Sequence, residues 1–249
     1  MILIFDIGNT HTHCGLAGKS GIIKHLDVPT QAWLKGEAAA LVKKFVKNHP
    51  VSGVALCSVV PQANPCVRQF AQKTFKQQVL ELSPDNLTII GIDYPHPETI
   101  GPDRLANAIA VTHHYGAPAI VVDFGTAVTF DIIDHQRNYI GGVIAPGLSA
   151  MTDYLHEKTA LLPRVKIRDT HTSIGKSTEE AMLIGAVHGY RGMVKQLLHE
   201  LKAELGCRSL PVVATGGYAA LIAKGVPEID AVEPNLTLEG VRLAWMANH

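Results

Sequence analysis

Two similar stretches decide the fold: MILIFDIGNT at residues 1–10 and AIVVDFGTAV at residues 119–128. Each contains an apolar run that predicts a buried β-strand, and each run is followed by an Asp-x-Gly turn. The turns begin at Asp6 and Asp123, which lie 117 residues apart in a chain of 249 residues. Because the same strand and turn recur after about half of the chain, the sequence predicts an internal duplication.

The elements after each stretch repeat one order, three adjoining strands and then alternating helices and strands. In the first half we predict strands at 1–5, 11–17, 21–27, 53–59 and 78–82, and helices at 32–47 and 64–76. In the second half we predict strands at 119–122, 127–133, 138–144, 211–214 and 229–233, and helices at 148–161, 177–205, 217–224 and 236–247. This order predicts an α/β protein with two similar domains, residues 1–116 and 117–249, and a ligand-binding cleft between them.

The composition argues against several classes of protein. Lys and Arg number 22 and Asp and Glu number 22, so no excess of charge indicates a nucleic-acid or membrane-surface partner. No apolar run reaches the roughly 18 residues of a membrane span, and Asp6 interrupts the short apolar N-terminus, so no signal peptide is expected. The four cysteines form no CxxC pair, which is typical of a reduced cytoplasmic protein. We therefore expect a cytoplasmic protein that binds neither nucleic acid nor membrane.

The two Asp-x-Gly turns carry residue types that bind phosphate and a cation. A strand delivers the carboxylate of Asp6 to the sheet edge, and Gly8 permits close approach of a ligand. Asn9 and Thr10 add polar donors, so the set suits phosphates with Mg²⁺, although an ordinary β-turn has the same composition. The matching turn at Asp123 favours the first interpretation, because one turn would hold terminal phosphates while the other coordinates a cation.

Two helix starts carry polar residues with either a structural or a functional role. Asp103, in the GPDR segment at 101–104, is either a general base with Arg104 as an anion clamp, or the N-cap of the following helix. Helix position alone does not separate these roles, and they are compatible. Ser177 and Glu180 have the spacing of a capping box, which predicts the start of a long helix.

Two further segments are less specific. The TGG segment at 215–217 either admits an adenine or ribose, or forms an ordinary strand-to-helix turn. His11, His13 and Cys14 resemble metal ligands in type, but the histidines fall in a predicted strand with no nearby carboxylate partner. Surface or packed histidines are therefore favoured over a zinc site.

In their order along the chain, these motifs resemble those of the type III pantothenate kinases. Tyr94 precedes GPDR at the family's usual distance, and Pro102 stands where Ala, Val or Ser is commoner, which a helix start accepts. Each motif alone is weak, but the ordered set covers essentially the whole chain. The matching segments are DIGNT at 6–10, SVVP at 58–61, GPDR at 101–104, DFGTA at 123–127, GGVIAPG at 141–147, IGKSTEEA at 174–181 and TGG at 215–217.

The resemblance implies the fold of the acetate and sugar kinase, Hsp70 and actin superfamily, with two ribonuclease H-like domains. It implies ATP-dependent phosphorylation of pantothenate to 4′-phosphopantothenate, the first step of coenzyme A biosynthesis. It also implies a divalent cation such as Mg²⁺, a monovalent cation (K⁺ or NH₄⁺) and a homodimer.

The resemblance also assigns roles to residues at matching positions. Asp103 would be the catalytic base, Asp123 would bind the monovalent cation, and Asp6 is a candidate ligand of Mg²⁺ through a water. The residues around ATP would be Asp6, Ile7, Gly8, Asn9, Thr10, His11, Thr12, His13 and Thr126. The residues around pantothenate would be Tyr94, Gly101, Pro102, Asp103, Arg104 and Thr178.

Two other functions are compatible with the motifs. One is a kinase of the same superfamily that acts on another small molecule, which a panel of substrates would identify. The other is a non-catalytic nucleotide-binding regulator. The presence of Asp6, Asp103 and Asp123 together favours an enzyme, because an inactive relative would be free to lose any of them.

Overall fold

The computed structural model describes residues 1–207 and 209–249. Within these residues it has two β-sheets with α-helices around them, so the predicted α/β class is confirmed. The strands are β1 (Ile2–Ile7), β2 (His11–Gly18), β3 (Gly21–Pro29), β4 (Gly53–Ser58), β5 (Val79–Glu81), β6 (Gly91–Ile92), β7 (Ala119–Phe124), β8 (Ala127–Ile133), β9 (Asn138–Pro146), β10 (Val212–Thr215) and β11 (Ala231–Val232).

The helices differ widely in length, from four to 27 residues. None in the described ranges is both long and apolar enough to cross a lipid bilayer. The helices are α1 (Gln31–Leu34), α2 (Ala38–Val46), α3 (Asn64–Phe75), α4 (Pro102–Tyr115), α5 (Leu148–Lys158), α6 (Thr178–Glu204), α7 (Ala219–Ala223) and α8 (Leu236–Ala247).

The chain divides into two compact units. The first unit comprises Met1–Tyr115, His135–Ile140 and Asn235–His249, and the second comprises Gly116–Asp134 and Gly141–Pro234. The first unit thus includes two segments that come after residue 116, whereas the sequence prediction divides the chain once. The assignment of domains to residues 1–116 and 117–249 stays a prediction.

The first unit is built on a sheet with the strand order β3-β2-β1-β4-β5. The central strand β1 is antiparallel to β2 and parallel to β4. Leu3, Phe5 and Ile7 pack on one face in an apolar cluster that includes Trp33 of α1. Because side chains alternate along a strand, Asp6 projects from the opposite face. Helices α4 and α8 pack against this part of the first unit.

The last helix, α8, completes the first unit. It packs against α4 and against strand β1. Gly240 lies so close to α4 that a Cβ atom there would overlap the backbone of Ala106. In the same buried interface, the Thr237 hydroxyl donates a hydrogen bond of 2.8 Å to Oδ1 of Asn107. A buried polar pair and close backbone contact make this helix an integral part of the unit.

The second unit repeats the arrangement around β7. Its strands follow the order β11-β10-β7-β8-β9, with β7 antiparallel to β8 and parallel to β10. These are the relations that β1 has with its own neighbours, so the predicted repeat in strand order is confirmed. Strand β9 begins in the first unit, where Asn138 and Tyr139 pair with Gly91 and Ile92 of β6.

Three element predictions were wrong in detail. The helix predicted at 32–47 is two helices, α1 and α2, because Gly36 has a φ of 77°, a left-handed conformation that ends a helix. Helix α5 ends at Lys158 and does not reach residue 161. Strand β6 was not predicted, because two residues are too few to show a periodic pattern.

Candidate active site

Asp6 lies at the end of β1 between two neighbouring strands. It is paired with His13 on β2 and with Cys57 on β4, so the three side chains project from the same face. The Cys57 thiol donates a hydrogen bond of 3.4 Å to Oδ1 of Asp6. Cys57 is fully buried while Asp6 is partly exposed. The sheet therefore leaves the Asp6 carboxylate partly exposed to solvent, while the buried Cys57 thiol donates a hydrogen bond to it.

The turn after β1 is held by hydrogen bonds that leave its tip exposed. The Gly8 amide donates to the His11 carbonyl at 3.0 Å, which closes the turn. Thr30 joins the turn to β3, because its hydroxyl donates to the Gly8 carbonyl at 2.6 Å and its amide donates to the Thr10 carbonyl at 3.0 Å. Asn9 and Thr10 are exposed at the tip. The turn is thus rigid at its base and open to a ligand at its tip.

Of the other residues predicted around ATP, some are buried and some are exposed. Ile7 and Thr12 are buried, and the Thr12 hydroxyl lies 3.1 Å from the Thr30 hydroxyl, so only their backbone can reach a ligand. His11 and His13 are exposed. The expectation that the histidines lack a carboxylate partner was wrong for His13, because its Nδ1 is 2.7 Å from Oδ1 of Asp27 on β3.

Asp103 lies in the first turn of α4 and not at its N-cap. The helix begins at Pro102, and Oδ1 of Asp103 accepts a hydrogen bond of 2.9 Å from the Arg104 amide. A Cβ atom at Gly101 would overlap that carboxylate oxygen, so a larger residue there would displace the Asp103 side chain. Burial raises the pKa of Asp103 from its ordinary value, against the opposing effects of the Arg104 amide and guanidinium. A higher pKa makes this carboxylate a better proton acceptor near neutral pH.

Cys57 connects the two carboxylates of the first unit. Burial raises the pKa of its thiol well above the ordinary value, and the negative charges of Asp6 and Asp103 raise it further. The thiol therefore stays protonated and remains a donor. Asp6 accepts the hydrogen bond of this thiol, and α4 packs against β4, the strand that carries it, so strand β1 and helix α4 bring Asp6 and Asp103 to the same region of the unit.

Three side chains near the start of α4 form a second group, which we call the aromatic–arginine group: Tyr94, Arg104 and Tyr139. The Arg104 guanidinium carbon is 5.6 Å from the centre of the Tyr139 ring. The Tyr94 and Tyr139 rings meet edge to face, with centroids 6.2 Å apart. Tyr94 and Arg104 were predicted as substrate contacts, whereas Tyr139 was missed. Its only signal in the sequence is its place just before the GGVIAPG segment.

In the second unit, Asp123 has the position in β7 that Asp6 has in β1. It is paired with Thr129 on β8 and Thr215 on β10. Gly216 follows with a φ of 89°, and a Cβ atom there would lie 2.6 Å from Oδ1 of Asp123. Thr126 is exposed at the tip of the turn. The TGG segment thus packs against the Asp123 turn, and only glycine fits at its centre.

Thr178 is the first residue of α6 and is exposed. The predicted capping box before it is half confirmed. The Ser177 hydroxyl accepts a hydrogen bond of 3.2 Å from the Glu180 amide, as expected. The Glu180 carboxylate, however, accepts from the Lys176 amide at 2.7 Å and not from Ser177. These two hydrogen bonds therefore fix the start of α6, and Thr178 lies exposed at the N-terminus of the helix.

The chemistry of these residues suits a cation that arrives with phosphates. Among residues 1–207 and 209–249, no three His, Cys, Asp or Glu side chains cluster as the ligands of a metal ion do. Mg²⁺ in phosphate-binding enzymes is commonly held by one or two carboxylates, waters and the substrate's phosphates. Asp6 is a partly exposed carboxylate beside the exposed turn.

A cavity of about 450 Å³ lies in the second unit. It is separate from the predicted site residues, none of which lines it. Its lining residues are Ser149, Thr152, Asp153, Arg164, Val165, Lys166, Ile167 and Tyr218.

The fold is shared with solved structures of low sequence identity. A conserved Baf family protein from Campylobacter jejuni matches with a TM-score of 0.61 and 18% identity, over 99% of this chain and 98% of that chain. The inorganic polyphosphate/ATP-glucomannokinase from Arthrobacter sp. strain KM matches with a TM-score of 0.53 and 12% identity, over 100% and 99% of the two chains. These structures define the class as the actin-like and sugar-kinase fold.

Closer relatives define the family within that class. The sequence model for type III pantothenate kinase matches residues 2–200. A type III pantothenate kinase from Methylacidiphilum infernorum is 46% identical over 244 residues, which are 98% of this chain and 87% of the relative. One from Akkermansia muciniphila is 47% identical over 243 residues, which are 97% of each chain. The chain belongs to the type III pantothenate kinase family.

Proposed function

We propose that this chain transfers the γ-phosphoryl group of ATP to pantothenate, which produces 4′-phosphopantothenate in the first step of coenzyme A biosynthesis. Family membership supports this reaction. The structural observation that carries it is the placement of two carboxylates: Asp6 accepts a hydrogen bond from the Cys57 thiol of β4, and Asp103 lies in the first turn of α4, which packs against β4. A kinase needs one carboxylate near the phosphates and their cation and another at the acceptor hydroxyl.

The phosphate end of the reaction is assigned to the turn after β1. Asn9 and Thr10 would donate to the phosphates of ATP from the exposed tip, and Gly8 would allow close approach of the backbone. Ile7 and Thr12 would contribute backbone groups only, because both are buried, and the exposed His11 and His13 would border the phosphates. A divalent cation such as Mg²⁺, when bound, neutralises phosphate charge, and Asp6 would hold it directly or through a water.

The acceptor end is assigned to the start of α4. The Asp103 carboxylate would take the proton from the pantothenate hydroxyl while that oxygen bonds to the γ-phosphorus. The bond from the γ-phosphorus to the bridging oxygen breaks, and ADP leaves. The raised pKa of Asp103 supports this role, because burial makes the carboxylate more basic and therefore a better proton acceptor. Arg104 would bind the pantothenate carboxylate, and the remaining contacts would be Tyr94, Gly101, Pro102 and Thr178.

The turn at Asp123 is assigned to a monovalent cation, K⁺ or NH₄⁺. A carboxylate at the end of a strand, beside the close-packed Gly216, is a fixed oxygen ligand for such an ion. The exposed hydroxyl of Thr126 would contact ATP. Both roles rest on the resemblance to the family, and the position of Asp123 in its unit, which matches that of Asp6, agrees with them.

We also propose that the chain acts as a homodimer. Helix α5 supports this, because it exposes Met151, Tyr154 and Leu155, which lie three and four residues apart and therefore share one helix face. Large exposed apolar patches are common at protein interfaces. The cytoplasmic location stays a prediction that rests on composition and cysteine content.

The proposed function is tested by ADP release from the purified chain with ATP, Mg²⁺ and pantothenate, in K⁺ and in Na⁺ buffers. We expect turnover that requires pantothenate and is much faster in K⁺. Turnover with another acceptor only would retain the kinase class and reject the substrate. Nucleotide binding without turnover for any acceptor would support the non-catalytic regulator.

A further inference from the structure

The ring of Tyr139 is held in place within the first unit. Tyr139 is only 1% exposed, and its backbone pairs with Ile92 of β6. Its carbonyl also accepts a hydrogen bond of 3.0 Å from the Asp93 amide. The edge-to-face contact with Tyr94, at an interplanar angle of 70°, restrains the ring from another side. The position of the ring is therefore set by the sheet and does not depend on a ligand.

The guanidinium of Arg104 rests against this fixed ring. Its central carbon lies 5.6 Å from the ring centre, within the distance at which a cation is attracted to an aromatic face. A guanidinium is planar, and its N–H donors lie in that plane. Contact with the ring consequently restricts where the guanidinium and its donors lie. A carboxylate is bound best when two of these donors face its two oxygens.

We infer that Tyr139 is a positioning residue that orients Arg104 toward the carboxylate of the acceptor and so favours an anionic acceptor. This inference rests on the proposed function, because it takes pantothenate as the acceptor. Tyr139 itself would not touch the reacting atoms. Its effect would appear in the KM for pantothenate and leave both kcat and the KM for ATP unchanged.

The test compares Tyr139→Phe and Tyr139→Leu in the wild-type and Arg104→Gln backgrounds. Phe keeps the ring, so the KM for pantothenate should stay within about threefold of the wild-type value. Leu removes it, and a contact of about 1–2 kcal/mol corresponds to a rise in KM of roughly 5- to 30-fold. In the Arg104→Gln background, Tyr139→Leu should cause no further rise, because the group that it positions is absent.

A matched control is Phe70→Leu, which also removes a buried aromatic ring from the first unit but lies in the apolar cluster with Trp33. It should lower thermal stability without changing the KM for pantothenate. If Tyr139→Leu does not fold, Tyr139→Met removes the ring with a flexible side chain of similar length and should give the same rise in KM.

Three results would overturn the role of Tyr139. The first is an equal KM for pantothenate in Tyr139→Phe and Tyr139→Leu. The second is a rise in that KM when Tyr139→Leu is added to the Arg104→Gln background. The third is a rise in the KM for ATP as large as the rise in the KM for pantothenate. Each requires a wild-type enzyme that turns over pantothenate, so each leaves the proposed function intact. A wild-type enzyme without such turnover would overturn the proposed function and this inference together.

Discussion

The ends of strands β1 and β7 have the same backbone arrangement, but different residues surround their carboxylates. In the first unit, Asp6 is paired with Cys57 and His13, and Thr30 holds the turn through its side chain and its backbone. In the second unit, Asp123 is paired with Thr215, and the nearby backbone packs so closely that only Gly216 fits. The difference shows that the same strand arrangement can place a carboxylate beside a buried thiol donor in one unit and beside closely packed backbone in the other.

The largest expected effect concerns Asp103, the catalytic base that we assign to the first unit only. Asp103→Asn should lower kcat at least about 100-fold, because a general base contributes roughly 10² to 10⁴ in rate. Wild-type kcat should fall as the pH is lowered through the raised pKa of Asp103, since the carboxylate must be ionised to accept a proton. Steady-state kinetics across a pH series measure both effects. The exposed Asp85→Asn is the control and should keep wild-type turnover.

The same variant should not destabilise the fold at neutral pH. Burial raises the pKa of Asp103, so its stabilising contribution is present at low pH and is lost as the pH rises through that pKa. Asn, which carries no charge, should therefore have the higher free energy of unfolding at neutral pH, and the difference should shrink in acid. Near wild-type turnover in a folded variant would show that Asp103 has only a structural role.

The second expected effect separates the two matching carboxylates. Asp6→Asn should raise the KM for ATP with Mg²⁺ by about 10- to 100-fold, because an interaction with a charged group contributes roughly 1.5–3 kcal/mol. Asp123→Asn should instead weaken activation by K⁺ by about tenfold. Titrations of ATP and of K⁺ with each variant distinguish the two. An unchanged K⁺ response in Asp123→Asn would remove the monovalent cation from that turn.

The third effect compares the two glycines by stability. A Cβ atom at Gly216 would lie 2.6 Å from Oδ1 of Asp123 and 2.7 Å from the Phe124 backbone, so Gly216→Ala should cost about 2 kcal/mol or more. At Gly8 the one close atom is the His11 carbonyl oxygen, at 3.1 Å, and Gly8→Ala should cost at most about 1 kcal/mol. Urea unfolding of both variants measures the difference, and equal losses would contradict the contrast between the turns.

The smallest effect concerns the thiol beside Asp6. Cys57→Ala removes the donor and should raise the KM for ATP about two- to fivefold, whereas Cys57→Ser keeps a donor and should stay near wild type. Cys14→Ala is the matched control, because Cys14 is equally buried but packs in the apolar cluster. Its KM should not change. If Ser and Ala at residue 57 gave the same KM, the hydrogen bond to Asp6 would have no role.

What the sequence predicts well is local. The runs before Asp6 and Asp123 and the glycines after them produce strands and turns from neighbouring residues alone, and the structure confirms both. The family was predicted from the order of such motifs and is confirmed. The roles of the site residues stay predictions, because they concern contacts with ligands.

What the sequence predicts poorly depends on pairing between distant strands. The contacts from Cys57 to Asp6 and from Asp27 to His13 follow from strand register, which no local pattern specifies. The contact from Tyr139 to Arg104 joins a strand to a helix that is distant in the sequence. The break between α1 and α2 at Gly36, in contrast, depends on a local signal. Its signal was present in the sequence, but the apolar periodicity on both sides of it continued and masked it.

The place of α8 in the first unit has a consequence for how the chain is made. About 120 residues separate the end of α4 from the start of α8, and at about 5–20 residues per second the ribosome needs roughly 6–24 seconds to add them. During that interval α8 is absent, so the surface of α4 around Ala106 and Asn107 lacks its contacts with Gly240 and Thr237. The first unit is therefore completed only after residues Gly141–Pro234 of the second unit have been made, and this surface of α4 stays open until α8 emerges.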